Sequence, residues 1–221
     1  GPMPVLSVVL LAAAAIALGS LAMNGPIALP IGLAVIAGAL GWLLPFPIHY
    51  RSAYALACIA LVTWRRVAVV DACRNAWRQF DCAARVAPRA ATAAILLLGL
   101  ASTGAWLPTM QFDDVVYHLG LPWQLQDTAR YAMNPVLQVW ALAPWASDTL
   151  QGVVQVLAGR EARGALDALW LAIAGGAAAG GLAVRLGVGS DRRAPEATDG
   201  SPPRRLDGPP GLPEHRHRRA G

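Results

Sequence analysis

The first charged residue of this chain is Arg51, and no Asp, Glu, Lys or Arg precedes it. A stretch that long without formal charge is foreign to soluble domains, where roughly a quarter of residues are charged. A second charge-free block runs from Ala90 to Phe112. Each is longer than the about 20 apolar residues that cross a hydrocarbon core. Backbone in lipid must satisfy its own hydrogen bonds, and a helix does so internally. The sequence therefore predicts an all-α fold, a polytopic integral membrane protein of about five or six transmembrane helices. Composition agrees, with 56% hydrophobic and 14% charged residues.

Turn chemistry divides the apolar runs. Val5 to Met23 reads as a first span, separated by "NGP" at Asn24 to Pro26 from a second, Ile27 to Leu44. "PFPIHYR" ends that span, and Ile48 to Trp64 reads as a third, flanked by Tyr50, Arg51, Trp64 and Arg65 as interfacial anchors. Residues 1–64 thus form an N-terminal helical region. Residues 65–89 carry six Arg against Asp71 and Asp81, with Val67, Val70, Trp77 and Phe80 spaced for one face of an amphipathic helix. The positive-inside rule places this linker in the cytoplasm.

Orientation follows. Ala90 to Leu107 leaves the cytoplasm as a fourth span, so residues 109–135, including "QFDDVVYHLGLPWQLQDTARY", are extracytoplasmic. That loop reads as a short amphipathic helix broken near Gly120 to Pro122. Val136 to Ala158 reads as a return span despite Pro144 and Asp148. "GREARG" would then be a cytoplasmic turn, and Ala165 to Leu186 a last span whose "GGAAAGG" offers small residues for close helix contact. Six spans place the remaining tail outside.

That tail, residues 189–221, holds six Pro, five Gly and twelve charges, seven of them Arg. It lacks the apolar surface to fold and is expected to be disordered. An Arg-rich tail outside runs against the positive-inside preference, so either one span is miscounted or the tail is a frameshift product. Its "HRHRR" cluster reads as solvated charge.

Net charge is +5, but the Arg residues sit in the linker and the tail, with no nucleic-acid module between them. Nucleic acid is not an expected partner. All 18 basic residues are Arg, which fits a G+C-rich bacterial genome. Cys58, Cys73 and Cys82 match no zinc or redox spacing.

The residues with chemistry are in the acidic loop. Asp113 and Asp114 follow an apolar run at a membrane surface, where topology does not need them. Their plainest use is a helix N-terminus, whose dipole favours carboxylates. Asp113 and Tyr117 are also i,i+4, as are Asp114 and His118, so each carboxylate has a polar partner on its own face. Such a face could take the proton of an acceptor hydroxyl. A metal would need further ligands than this stretch supplies.

Phe112, Asp113, Tyr117, His118 and Leu119 form an aromatic-Asp-x-x-x-Tyr-His-Leu pattern after an apolar span. This pattern, followed by Asn134, a Trp-containing apolar stretch, "GREARG" and an Ala/Leu-rich span, resembles bacterial membrane glycosyltransferases of the GT-C superfamily. The likeness is to the family 39-like branch, related to protein mannosyltransferases and the lipid A aminoarabinose transferase, and covers residues 90–188 as the start of a GT-C-like core.

The resemblance implies transfer of a sugar from a polyprenyl-phosphate donor to a hydroxyl acceptor on the periplasmic side of the bacterial inner membrane. Asp113 would be the catalytic base, in some members with a divalent metal ion nearby. Asp114, Tyr117, His118 and Asn134 would support it. GT-C enzymes generally have eleven or more spans, so this chain is expected to be an N-terminal part, truncated and inactive alone. The contrasting expectation is a non-enzymatic helical accessory or assembly protein, in which the acidic loop only caps a helix.

Overall fold

The computed structural model describes residues 2–105, 118–132 and 145–185. All its regular elements are helices, and no strand occurs among the described residues. They are α1 (Met3–Gly19), α2 (Ala28–Leu43), α3 (Arg51–Trp64), α4 (Arg66–Val86), α5 (Pro88–Ala105), α6 (Gly120–Thr128), α7 (Trp145–Ala158) and α8 (Arg163–Arg185). The chain divides into two units, Gly1–Ala179 and Gly180–Gly221, and in the second only the end of α8 is described. The tail expected to be disordered, residues 189–221, lies outside the described residues.

Two glycines set the closest helix contact. A Cβ on Gly32 would fall 1.8 Å from the Ala15 carbonyl oxygen, and one on Gly19 would fall 1.8 Å from that of Ala28. Ala15 and Gly19 on α1, and Ala28 and Gly32 on α2, are each spaced i,i+4. Two small-xxx-small stripes therefore face one another, the arrangement by which helices approach closely where lipid gives no hydrophobic drive. The turn between them uses Gly25 at φ 97°, a backbone region open to glycine.

α7 is buried along its length from Asp148 to Ala158, packed among α1, α2, α3 and α6. Leu33, Leu125, Leu150, Val153, Val154 and Leu166 are at the centre of this core. The opposite condition holds on α5, where Ile95, Leu96, Leu97, Leu98 and Leu100 are all exposed, Leu100 by 69%. On α8 a Cβ added at Gly175 would lie 3.2 Å from Leu98 Cδ2, whereas one at Gly176 would have nothing within 4 Å.

Several elements differ from the sequence expectation. Among the described residues no single helix is long and apolar enough to cross a membrane. Only α3 and α4 taken together, bent by 80°, reach that length and apolar character. The first expected span stops at Gly19 rather than Met23, where the Ser20 hydroxyl donates to the Ala17 carbonyl at 2.7 Å. α6 starts at Gly120, and the part of the expected loop helix that precedes His118 lies outside the described residues. Pro122 sits in the first turn, where its missing N–H has no intrahelical partner to lose.

Of the expected return span over 136–158, residues 136–144 lie outside the described residues, and the described part, α7, is placed by its neighbours. α6 and α7 run parallel: His118 meets Asp148, Gln126 meets Gln155, and Ala129 and Gly159 line one cavity. That cavity also contains Arg51. Gly159, where the "GREARG" turn begins, thus lies beside Ala129 and the N-terminus of α3. Burial by protein and burial by lipid both favour apolar side chains such as Val153, Val154, Val156 and Leu157, so composition alone does not tell the two apart.

Candidate functional site

The loop carrying the motif enters the described structure at His118. Its Nδ1 lies 3.0 Å from Oδ1 of Asp148 in the first turn of α7. The Asp148 side chain is 12% exposed and that of His118 40%, so the pair is closed on the carboxylate side and open on the imidazole side. Leu119, Leu121 and Leu125 are buried, and Gly152 admits α6. A Cβ there would come within 2.8 Å of Leu125 Cδ1.

Asp148 heads a polar stripe. Asp148, Gln151 and Gln155 follow at i, i+3 and i+7, all buried, and Gln155 Nε2 donates to Gln126 Oε1 at 2.9 Å. Among the described residues, Gln151 Nε2, Gln155 Oε1 and the neighbouring Thr149 hydroxyl have no hydrogen-bond partner. Each such buried group costs about 1–3 kcal/mol, so α7 is held in place by its apolar neighbours and not by this stripe.

A cavity of about 460 Å³ opens at the other end of α6 and α7, lined by His49, Tyr50, Arg51, Gln126 to Ala129, Val156 and Gly159. His49 is 1% exposed; Nε2–H donates to the Leu43 carbonyl at 2.9 Å, and Nδ1 bonds the Tyr54 hydroxyl. Backbone bonds join the two segments there, from His49 N–H to the Ala129 carbonyl at 3.1 Å and from Tyr131 N–H to the Leu44 carbonyl at 2.7 Å. Ala129 adopts φ 55° as the left-handed cap of α6. Burial, and then the Asp148 carboxylate, raise the Tyr131 hydroxyl above the usual tyrosine range.

Of the residues singled out in the sequence, His118 is held at the core by Asp148. Asp113, Asp114, Tyr117 and Asn134 lie outside the described residues. Sequence reasoning missed Asp148, set aside as an interruption of the expected return span, and His49. A signal existed for the first: Asp148 is the only charged residue between Arg130 and Arg160. His49 had no comparable signal, because its burial depends on where Leu43 and Tyr54 fall. No cluster of three or more His, Cys, Asp or Glu that could hold a metal ion occurs among the described residues.

Comparison with family models, curated proteins and solved structures finds no match for this chain.

Proposed function

We propose that the chain is a bacterial inner-membrane glycosyltransferase of the GT-C type. It would transfer a sugar from a polyprenyl-phosphate donor to a hydroxyl acceptor outside the cytoplasm, with Asp113 as base. The observation that carries this proposal is the seat of the motif's histidine. His118 reaches across to a buried carboxylate at the head of α7, which fixes the end of the acidic loop against the helical core and leaves the imidazole edge open. An anchor at that end of the loop supports the reading, because a loop-borne general base has to be held in position.

The bilayer component draws on further features. α1 and α2 cross through facing small-residue stripes, and large apolar side chains are exposed on α1, α2, α3 and α5. With α6 and α7 both ending at the cavity beside Arg51, five crossing segments remain: α1, α2, α3, α5 and α8. An odd number carries the Arg-rich tail to the cytoplasm and removes the conflict with the positive-inside preference. Arg160 and Arg163 then sit outside, with Glu161 between them, as an exception to the same preference.

The test is transfer of label from polyprenyl-phosphate sugars to endogenous acceptors in membranes of cells expressing the protein as its native locus encodes it. Asp113→Asn is expected to lower transfer by about 10²–10⁴-fold. Unchanged transfer would overturn the assignment. A membrane-bound protein without any transfer would favour the non-enzymatic accessory role, for which the all-round exposed leucines of α5 provide a packing surface.

A further inference from the structure

Helix α4 is neither buried nor evenly polar. Val69 is its one buried residue, whereas Val70, Trp77 and Phe80 are exposed, and the Trp77 and Phe80 rings lie 5.9 Å apart. Val69, Val70, Cys73, Trp77 and Phe80 follow the three-and-four spacing of a single helical face. Arg74, Arg78 and Arg85 form a stripe along its flank. Arg85 pairs with Asp81 at 3.0 Å, and the side chains of Arg74 and Arg78 make no ion pair among the described residues.

The attitude of α4 is held from its root. α3 and α4 meet at 80°, and at the corner Arg65 donates to the Ser20 hydroxyl at 3.1 Å and the Ser20 carbonyl at 3.3 Å. That contact ties the bend to the end of α1. If α3 stands across a bilayer, as proposed above, α4 lies near the membrane plane at the side where α1 ends. Its apolar face can then enter the acyl boundary while the Arg flank remains at headgroup depth.

We propose that α4 is a docking helix for anionic lipid, in which Arg74 and Arg78 bind headgroup phosphates and Trp77 and Phe80 anchor the helix. Residues 65–89 hold six Arg against two Asp, a charge balance that an anionic leaflet complements and a zwitterionic one does not. This proposal rests on the membrane assignment, and the experiment separates the two.

The purified protein with Cys58→Ala and Cys82→Ala keeps one thiol, the exposed Cys73, one helical turn from both Val69 and Trp77. A polarity-sensitive fluorophore on it reports whether the apolar face is in lipid. After reconstitution, emission is expected to shift to the blue in phosphatidylcholine vesicles containing phosphatidylglycerol, compared with phosphatidylcholine alone. Arg74→Gln with Arg78→Gln should lower the docking equilibrium constant by about 25-fold, about fivefold per arginine, and the corresponding Lys pair should restore it. Equal emission in both vesicle types, or no effect of the Gln pair, would overturn the lipid role while a carbonate-resistant protein would still stand as membrane-embedded. Extraction of the protein by carbonate would overturn both.

Discussion

The imidazole of His118 and the carboxylate of Asp148 meet at 3.0 Å across thirty residues of chain. Removal of His118 leaves Asp148 buried without that partner, whereas removal of both groups does not. His118→Ala and Asp148→Asn should therefore be non-additive. Thermal denaturation in detergent is expected to give a coupling of about 0.5–3 kcal/mol, towards the lower end because the imidazole is partly exposed.

Gly32 and Gly38 share α2 but not surroundings. Gly32→Ala drives a methyl into the Ala15 backbone, which cannot rotate away, and should destabilise by about 3 kcal/mol. Gly38 has nothing within 4 Å of an added Cβ. Gly38→Ala should stabilise by about 0.5–1 kcal/mol through reduced backbone freedom. Equal effects at both sites would contradict the α1–α2 crossing.

Ala129 holds φ 55° so that α6 can end and its carbonyl can accept the His49 N–H. The left-handed region costs about 1–2 kcal/mol for a residue with a Cβ. Ala129→Gly is expected to raise stability, by about 0.5–1 kcal/mol after the added freedom of the unfolded chain is deducted.

The parallel course of α6 and α7 predicts a topology. A cysteine replacing Arg160 in a protein free of other cysteines should react, in intact spheroplasts, with a membrane-impermeant maleimide, as should one replacing Tyr50. Reaction at residue 50 but not 160 would mean that α7 crosses the bilayer after all.

Tyr131 gives an alkaline limit. Its hydroxyl is held above its ordinary value of 10.0 by burial and by Asp148, so the folded state retains a proton that the unfolded state releases first. The contribution is fully present below about pH 10 and is lost as pH rises through the higher folded value. The alkaline decline in melting temperature should be shallower in Tyr131→Phe.

Much of the helical layout was legible because it depends on local information. α2 begins after "NGP" and ends before "PFPIHYR", where α3 begins, and α4 shows its two faces in the spacing of Val70, Trp77 and Phe80 against Arg74 and Arg78. The candidate site was legible only on the loop. Its buried half, Asp148 with Gln151 and Gln155, looked like the inconvenient polar content of a lipid-facing helix.

Charge-free length, turn residues and the period of apolar side chains determined that this chain is helical and where most helices begin and end, since those properties act between residues a few positions apart. Only the tertiary structure decided what surrounds each helix. Protein and lipid remove water equally well, so an apolar stretch such as 145–158 can be written the same way for either. Its burial among α1, α2, α3 and α6, the seat of His118 on Asp148, and the return of Gly159 to the side of Arg51 arise from packing between segments that the sequence holds far apart.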